Sequence, residues 1–226
     1  MTQSKTTPGY SCCSTQSAFI PTHTIDVRLP ANTKYLSRNP VSRLLIRGFM
    51  RALVDLAIQT DACTILDVGC GEGLVIRQLD LLWSKEAIHG VDISPELLKV
   101  AQNIASNAVY FAGNVYQLPL PDHYYDLVIC TELLEHLNNP QAALAEITRV
   151  GKDHCLLSVP HEPWWRIANV MRGSYLTKCG NTPGHINHWS RQGFTKFVSS
   201  YVNVVDVRQP FPWIMVLGRV RTGLQQ

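Results

Sequence analysis

Short apolar runs alternate along the chain with segments that have helical features. The runs are rich in β-branched residues, and their length suits strands buried inside a sheet. They lie at 64–69, 87–91, 109–112, 125–130 and 154–159. Helices are predicted between them, at about 72–82, from Pro95 to about 106 and from Pro140 to about Val150. This alternation predicts a parallel sheet whose ligands bind at the carboxyl ends of its strands.

The pattern changes on both sides of these runs. Residues 1–23 are rich in Ser, Thr and Gln and predict a flexible tail, which is followed by one domain over 24–226. The alternation stops over 160–200, and two further strands are predicted at 202–208 and 214–220. An N-terminal helix after Pro40 is predicted by apolar residues at helical spacing, namely Leu44, Leu45, Phe49, Leu53 and Leu56.

Composition favours a single α/β domain and does not identify a binding partner. The chain has 226 residues, of which 46% are hydrophobic, and this is enough for one domain with a full core. The net charge of +3 comes from scattered Lys and Arg, so composition neither requires nor excludes nucleic-acid binding. Composition does not define an oligomeric state.

Cysteine usage and the lack of long apolar segments predict a reduced, cytoplasmic protein. The seven cysteines form no C-x-x-C pair, and four of them lie in or beside predicted core strands. No run of 18 apolar residues is present, and the polar start does not have the pattern of a signal peptide. We therefore expect no transmembrane segment.

A glycine-rich turn, Asp67-Val68-Gly69-Cys70-Gly71-Glu72-Gly73, ends the first predicted strand. Glycines at alternate positions let the backbone close on a ligand, and the helix after them directs free N–H groups at it. The third glycine of the dinucleotide pattern G-x-G-x-x-G would fall at Leu74. The carboxylate of Glu72 disfavours a pyrophosphate and suits a ligand with positive charge. S-adenosylmethionine, with its ammonium and sulfonium groups, is such a ligand.

The turn resembles motif I of the class I S-adenosylmethionine-dependent methyltransferases, and the resemblance covers roughly residues 34–208. It implies a Rossmann-like α/β fold with a seven-stranded, mostly parallel sheet in the order 3-2-1-4-5-7-6 and helices on both faces. It also implies S-adenosylmethionine as the cofactor and a substrate-side insert at 160–200. N-terminal helices of the family cover the cofactor, so Tyr35 is a candidate ligand contact or packing residue.

Further cofactor-binding residues follow from the same resemblance. Asp92 closes the second predicted strand, where an acid accepts hydrogen bonds from ribose hydroxyls. Ile93 matches the apolar neighbour of adenine. Asn114, with Val115 beside it, stands where the family often has an Asp that accepts from the adenine amino group. The other implied residues orient the loop or contact the methionine part: Asp67, Gly69, Cys70, Gly71, Gly73, Cys130 and Thr131.

An E-x-x-E-H pattern follows the fourth predicted strand. It resembles the pattern of the small-RNA 2′-O-methyltransferases and of the ubiquinone-pathway O-methyltransferases. In those branches it binds a divalent ion, helped in the RNA enzymes by a later His, which His185 matches best. The resemblance implies a site for Mg²⁺ or Mn²⁺ that activates a substrate oxygen. Its ligands would be Glu132, Glu135, His136 and His185.

The same residues allow interpretations without a metal. His136 could line the acceptor pocket as a general base, because the pKa of imidazole suits proton removal from a hydroxyl. The carboxylates could instead be solvated or paired. If the segment is helical, Glu132 and His136 are neighbours one turn apart. We expect His136 and His185 to meet around the acceptor, and His161, after the fifth strand, is another candidate base.

A helix from Trp164 to Leu176 is predicted within the insert. Trp164, Ile167, Ala168 and Met171 would form one side of it. This helix could cover an apolar acceptor, lie on a membrane surface or pack onto the sheet.

The combined pattern predicts a methyltransferase that acts on a small or medium-sized acceptor with apolar surface. Oxygen is the favoured acceptor atom, because a cluster of His and Glu suits hydroxyl activation. N- or C-methylation, and metal-dependent 2′-O-methylation of RNA, remain alternatives. A module that binds S-adenosylmethionine without catalysis is a more distant one, and Leu74 speaks against an NAD-dependent reductase.

Overall fold

A computed structural model describes residues 40–80, 83, 88–105, 107–171, 182 and 184–221. The predictions for the tail at 1–23 and for Tyr35 lie outside these residues. The described elements are, in chain order, α1 Pro40–Ile58, β1 Ile65–Val68, α2 Leu74–Leu79, β2 Ile88–Asp92, α3 Pro95–Ile104, β3 Val109–Ala112, β4 Tyr125–Thr131, a 3₁₀ helix Leu134–His136, α4 Pro140–Val150, β5 Gly151–Pro160, α5 Trp164–Met171, α6 Arg191–Ser199, β6 Val202–Arg208 and β7 Trp213–Val220.

The seven strands form one sheet in the order β3-β2-β1-β4-β5-β7-β6. The first five strands in this order are parallel, and β7 runs antiparallel to both β5 and β6. The predicted fold class and strand order are confirmed. The carboxyl ends of β1, β2, β3, β4 and β5 therefore lie at one edge of the sheet, which we call the carboxyl edge.

Local sequence explains where most helices begin. The side chains of Ser94, Asn139 and Ser190 each accept a hydrogen bond from a backbone N–H three residues later and so cap α3, α4 and α6. Proline occupies the first turn of α3 and α4, where a missing N–H costs no hydrogen bond.

Two elements differ most from their predicted bounds. Helix α2 begins at Leu74 rather than at 72, because Gly73 has a left-handed backbone (φ 76°), and residues 81 and 82 at its predicted end lie outside the described residues. Strand β5 begins three residues before the predicted 154, because Gly151 is already extended and α4 leads directly into the strand. The predicted continuation of α5 to Leu176 lies outside the described residues.

The core has two layers, one on each face of the sheet. Leu66, Val128 and Leu157 belong to the layer that also contains residues of α4 and α6. Ile65 and Leu127 belong to the other layer, which is completed by α1, α2 and α3. Alternate residues of the central strands are thus buried on opposite faces, as expected for parallel strands covered on both sides. Among the described residues, no helix is both long and apolar enough to cross a bilayer.

Candidate active site

The glycine turn after β1 has the backbone that only glycine adopts readily. Gly69, Gly71 and Gly73 have φ values of 75°, 52° and 76°. A Cβ atom at Gly69 would lie 2.9 Å from Cδ2 of Leu133, whereas a Cβ at Gly71 would meet nothing within 4 Å. Gly71 therefore faces open space at the carboxyl edge, where a side chain would occupy the room of a ligand.

Asp92 joins the end of β2 to the glycine turn. Its Oδ2 accepts a hydrogen bond from the N–H of Gly71 at 2.9 Å, and its Oδ1 accepts one from the N–H of Ser94 at 2.9 Å. The N–H groups of Gly69 and Cys70 donate to the carbonyl of Val91 at 2.8 and 3.1 Å. Each carboxylate oxygen has a further lone pair, so Asp92 can also accept from a ligand hydroxyl.

Two carboxylate oxygens near this turn have no partner among the described residues. Asp67 is only 1% exposed, and its Oδ2 accepts no hydrogen bond. Burial and the nearby charge of Asp92 raise the pKa of Asp67 to about 7. The Oε2 atom of Glu72 is also buried without a partner. A buried carboxylate is stable when it is paired with a cation, so this donor set fits the ammonium or sulfonium of S-adenosylmethionine.

A cleft of about 470 Å³, including its open mouth, lies beside the turn at the ends of β1, β2 and β3. The predicted residues that line it are Gly69, Asp92, Ile93, Asn114 and Val115. Apolar side chains form most of its walls, as in sites for small ligands.

Asn114 is a turn residue as well as a lining residue. Its Oδ1 accepts a hydrogen bond from the N–H of Tyr116 at 3.0 Å. This bond uses one lone pair of the amide oxygen, and the predicted adenine contact stays a prediction.

Sequence analysis missed part of the wall of this cleft. Tyr116, Leu133 and Leu137 also line it. Leu133 and Leu137 flank the 3₁₀ helix, and no periodicity marks them in the sequence, because this segment is not a continuous helix.

The predicted cofactor cysteines have buried thiols. Cys130, at the end of β4, is 0% exposed, and burial together with the nearby charge of Asp67 raises its pKa well above the usual value. The pKa of Cys70 is also raised by burial and by nearby carboxylates. These thiols are not poised as nucleophiles. The predicted backbone contacts of Cys130 and Thr131 with the methionine part stay predictions.

The segment after β4 does not form the continuous helix that would make Glu132 a neighbour of His136 one turn away. Glu132 has a left-handed backbone with φ 54°, and only residues 134–136 form a short 3₁₀ helix. The hypothesis of an i, i+4 pair is therefore wrong. A non-glycine residue in this region costs free energy, and such residues occur frequently at functional sites.

The left-handed backbone directs Glu132 toward β5 and β7. Its Oε2 accepts a hydrogen bond from Nε1 of Trp213 at 2.7 Å, and its Oε1 accepts one from the hydroxyl of Ser158 at 3.4 Å. Burial raises the pKa of Glu132 to about 8, although these hydrogen bonds act in the opposite direction.

Three of the four predicted metal ligands converge. Glu135, His136 and His185 each offer one ligand atom, and these atoms lie within 4.8 Å of one another. Nε2 of His136 is 3.9 Å from Oε1 of Glu135, and the two imidazole rings meet edge to face at 4.8 Å. Glu135 is 1% exposed, and neither of its carboxylate oxygens has a hydrogen-bond partner among the described residues. Burial and then the charge of Glu132 raise the pKa of Glu135 well above the usual value.

The hydrogen bond of His136 defines its neutral tautomer. Nδ1 lies 2.9 Å from the carbonyl of Gly184, and a carbonyl only accepts, so Nδ1 carries the proton. The Nε2 atom of the neutral ring then has a free lone pair for a proton or a cation.

His185 is held as a neutral ring. Burial, followed by the nearby His136 and His188, lowers its pKa to about 4. It stacks on Trp165 with ring centroids 5.8 Å apart. His136 and His185 are thus in contact, as expected, and the acceptor between them stays a prediction.

His161 is not part of this cluster. It lines a separate cleft together with residues of α6, among them Arg191 and Lys196. Burial lowers the pKa of His161. The structure therefore does not bring the third candidate base to the other two.

Residues 66–159 match a known family described as a methyltransferase domain. An uncharacterized methyltransferase of Schizosaccharomyces pombe is 35% identical over 99 residues, which are 39% of this chain and 36% of that protein. A ubiquinone biosynthesis O-methyltransferase of a Shewanella species is 33% identical over 85 residues, or 35% of each chain. The match thus spans about a third of the length of these relatives.

A solved structure extends the similarity to most of the fold. The magnesium protoporphyrin IX methyltransferase from Synechocystis PCC 6803, with bound S-adenosylhomocysteine, superposes with a TM-score of 0.61. It covers 87% of this chain and 91% of its own, at 16% identity.

Proposed function

We propose that the chain is a class I S-adenosylmethionine-dependent methyltransferase and that it methylates a hydroxyl oxygen of a small or medium-sized acceptor with apolar surface. The observation that supports oxygen is the convergence of Glu135, His136 and His185 within 4.8 Å of one another. A hydroxyl must lose its proton during methyl transfer, and this cluster contains groups that can accept one.

The cofactor side of the proposal rests on the glycine turn. Asp92 would accept the ribose hydroxyls, because its oxygens already anchor the turn and retain lone pairs. Asp67 would pair with the ammonium group, which gives its unpartnered oxygen a cation. Ile93, Asn114 and Val115 would surround the adenine. S-adenosylmethionine supplies an activated methyl group for in-line displacement, so the protein acts mainly by positioning.

His136 is the proposed base. Its Nδ1–H donates to the carbonyl of Gly184, which orients the ring and leaves Nε2 to accept the proton of the acceptor hydroxyl. His185 would act beside it as a neutral hydrogen-bond partner, since its low pKa keeps it unprotonated at neutral pH. We assign no role to His161.

A divalent cation is the second candidate for activating the acceptor. Glu135, His136 and His185 could hold Mg²⁺ or Mn²⁺, and a cation would neutralise the buried carboxylate of Glu135. The ion would supply a Lewis acid for the acceptor oxygen, as in the alternative of metal-dependent 2′-O-methylation of RNA. Glu132, the fourth predicted ligand, is engaged by Trp213 and Ser158, and we leave it out of the ligand set.

The other candidate reactions account less well for the side chains on the acceptor side. N- or C-methylation would not require a base beside a hydroxyl, and a module without catalysis would not require the cluster of Glu135, His136 and His185. Four cysteines of the described residues are free thiols, which supports a reducing compartment such as the cytoplasm.

The test compares His136→Ala and His185→Ala with His161→Ala. Formation of S-adenosylhomocysteine is followed with phenolic and aliphatic hydroxyl acceptors. We expect His136→Ala to lose on the order of 10²–10⁴ in rate, as for removal of a general base, His185→Ala to lose less, and His161→Ala to keep most of its activity. Equal activity in all three variants would reject the assignment.

The cation is tested separately from activity. Mn²⁺ is titrated into the protein and followed by electron paramagnetic resonance, with Glu135→Gln and His185→Ala as site variants and His161→Ala as the matched control. One bound ion that is lost only in the site variants supports the cation. No bound ion leaves His136 alone as the activating group.

A further inference from the structure

One helix at the acceptor side has apolar side chains on its solvent face. In α5, Trp164, Ile167 and Val170 are 47%, 42% and 44% exposed, whereas Ala168 and Asn169 are buried. This differs from the prediction that Trp164, Ile167 and Ala168 share one apolar side. The inner face contributes Trp165, which stacks on His185. The helix is thus apolar toward both the site and the solvent.

Neighbouring segments continue the exposed apolar face. Phe211 is 49% exposed, and its ring centroid lies 6.4 Å from that of Trp164. Ile186, directly after His185, is also exposed. We call these five residues the apolar rim: Trp164, Ile167, Val170, Ile186 and Phe211. Exposed apolar residues that form a group beside a site, rather than standing singly, indicate an interaction surface.

The first turns of α1 lie at the same edge of the molecule. Asp55, in the second half of α1, forms an ion pair with Arg208 at 3.5 Å, and Arg208 is paired two residues deeper in the sheet than Trp213. Phe49 packs against Trp213 with ring centroids 4.9 Å apart, and Trp213 begins the antiparallel strand β7 at that edge. Helix α1 thus approaches the carboxyl edge from Asp55 to Phe49, and Trp213 also packs against Trp165 of α5 with ring centroids 5.5 Å apart.

These turns of α1 are apolar and cationic on their exposed face. Val41 and Leu44 are exposed, and Leu44 is the more exposed of the two at 69%. Arg43 and Arg47 are exposed beside them, and neither forms an ion pair with another described residue. Helix α1 has no acidic residue before Asp55.

Helix α5 adds no negative charge to this surface. It contains no acidic residue, and its single basic residue, Arg166, is paired with Glu162. The carboxyl edge thus combines aromatic and aliphatic side chains with cations that lack an acidic partner among the described residues.

We propose that the apolar rim and the first turns of α1 dock on the surface of an anionic lipid bilayer. Trp, Phe and aliphatic side chains next to Arg are the combination that enters a headgroup region, where the rings are buried and the guanidinium groups meet lipid phosphates. Docking would place the acceptor side against the bilayer. An apolar acceptor could then enter directly from the lipid, and this use of the surface rests on the proposed function.

Charge argues against a second copy of the chain as the occupant. A symmetric dimer through this surface would place Arg43 and Arg47 of both copies in one interface, and like charges gathered at an interface are unfavourable. An anionic bilayer instead supplies the opposite charge over the whole area.

The test measures co-sedimentation of the full chain with vesicles of phosphatidylcholine alone and with added phosphatidylglycerol, without acceptor or cofactor. We expect binding to the anionic vesicles that weakens with salt. Arg43→Gln combined with Arg47→Gln should reduce the partition coefficient roughly thirtyfold, from the contribution of two Arg at an anionic surface. Ile167→Ser combined with Phe211→Ser should reduce it on the order of tenfold through lost apolar burial.

Matched controls come from the rest of the surface. Arg219→Gln lies near the amino end of β5, opposite the apolar rim, and Val205→Ser lies on the edge strand β6, so both should bind vesicles like the wild type. Binding of S-adenosylhomocysteine is measured on every variant, which separates failure of docking from failure of the fold or of the proposed function.

Three outcomes would overturn the proposal. The first is no vesicle binding by the wild type, and the second is equal loss in the control variants. The third is self-association without lipid that Ile167→Ser with Phe211→Ser abolishes, because the surface would then be an interface between copies.

Discussion

Single residues at the carboxyl edge owe their chemistry to partners from distant parts of the chain. Glu132 accepts from Trp213, which lies 81 residues further along, and His136 donates to Gly184, 48 residues further along. Asp92 anchors the turn through Gly71, 21 residues before it. Each contact restricts a side chain to one orientation. A reactive site needs this because misplaced catalytic groups lower the reaction rate.

Gly71 is the residue at which a side chain should affect the ligand most directly. Gly71→Val places a β-branched side chain in the open space of the cleft and forces it into a left-handed backbone. We expect the affinity for S-adenosylhomocysteine, measured by calorimetry, to fall more than tenfold. The free energy of unfolding should fall by about 1–2 kcal/mol.

Gly48→Ala is the matched control for this change. Gly48 lies inside α1, and a Cβ atom there would meet nothing within 4 Å, so alanine should be tolerated and raise stability by up to about 1 kcal/mol. Unchanged affinity in Gly71→Val would mean that the ligand binds elsewhere.

Asp67 should make cofactor binding dependent on pH. Its pKa in the free protein is about 7, above the ordinary 3.8, so the folded protein holds a proton that the unfolded chain has released. The free energy of unfolding contributed by this group is therefore present below pH 3.8 and is lost as the pH rises toward 7.

A bound cation beside Asp67 favours the ionised form of this side chain, because it stabilises the carboxylate. The affinity for S-adenosylhomocysteine should rise by up to tenfold per pH unit below pH 7 and level off above it. Calorimetry from pH 5.5 to 8.5 measures this, and Asp67→Asn should remove the slope and bind weakly at every pH. A slope that persists in Asp67→Asn would assign it to another group.

At the level of elements, one partly buried carboxylate far from the active site forms hydrogen bonds that hold adjacent strands together. Asp126, near the start of β4, accepts from the N–H groups of Cys63 and Thr64 and from the hydroxyl of Thr64, at 2.9–3.0 Å. Lys152, at the start of β5, donates to its other oxygen at 2.8 Å. The carboxylate thus joins β4 to the residues that lead into β1 and to β5.

Asp126→Asn should destabilise the fold at neutral pH. Burial alone would raise the pKa of Asp126, but hydrogen bonds from Lys152, Thr64 and Cys63 outweigh it, and the pKa is lowered. The free energy of unfolding that Asp126 contributes is present above its ordinary pKa of 3.8. It is lost as the pH falls through the lower pKa of the folded protein. We expect a loss of about 1–3 kcal/mol in urea unfolding at pH 7 and a smaller difference at pH 3.

Asp153→Asn tests whether the loss is specific to Asp126. Asp153 lies 3.7 Å from the same lysine, but its side chain is 50% exposed, and exposed pairs contribute little. Its substitution should change stability by less than about 0.5 kcal/mol. An equal effect of the two substitutions would contradict the role given to Asp126.

At the level of the whole molecule, the cofactor cleft exists only when several strand ends meet. Its lining residues come from the ends of β1, β2 and β3 and from the segment after β4. The unfolded chain separates these parts, so a ligand of the cleft should stabilise the fold by mass action.

S-adenosylhomocysteine at a hundred times its dissociation constant should raise the free energy of unfolding by about 2.7 kcal/mol. Thermal unfolding with and without the ligand measures this shift. Asp92→Asn should abolish it at the same ligand concentration, and NAD⁺ should give no shift in either protein. Stabilisation by NAD⁺ alone would contradict the cofactor assignment.

The cofactor side of the molecule was predictable from local sequence. The apolar runs predicted five parallel strands, and Pro95 and Pro140 marked helix starts, because strand burial and the first turn of a helix depend on residues close in the chain. The acceptor side was predicted less well. The spacing of Glu132 and His136 suggested neighbours on a helix, whereas the backbone of Glu132 turns it toward Trp213.

The sequence by itself determined the sheet, the glycine turn and the acid at the end of β2, because each depends on periodicity or on a backbone conformation that a residue type imposes. Only the tertiary structure decided which side chains share the acceptor side. It brought His185 to His136 and placed His161 in a separate cleft. The physical reason is that these contacts join segments far apart in the chain, whose relative position depends on how α5, the residues around 185 and β7 pack over the carboxyl edge.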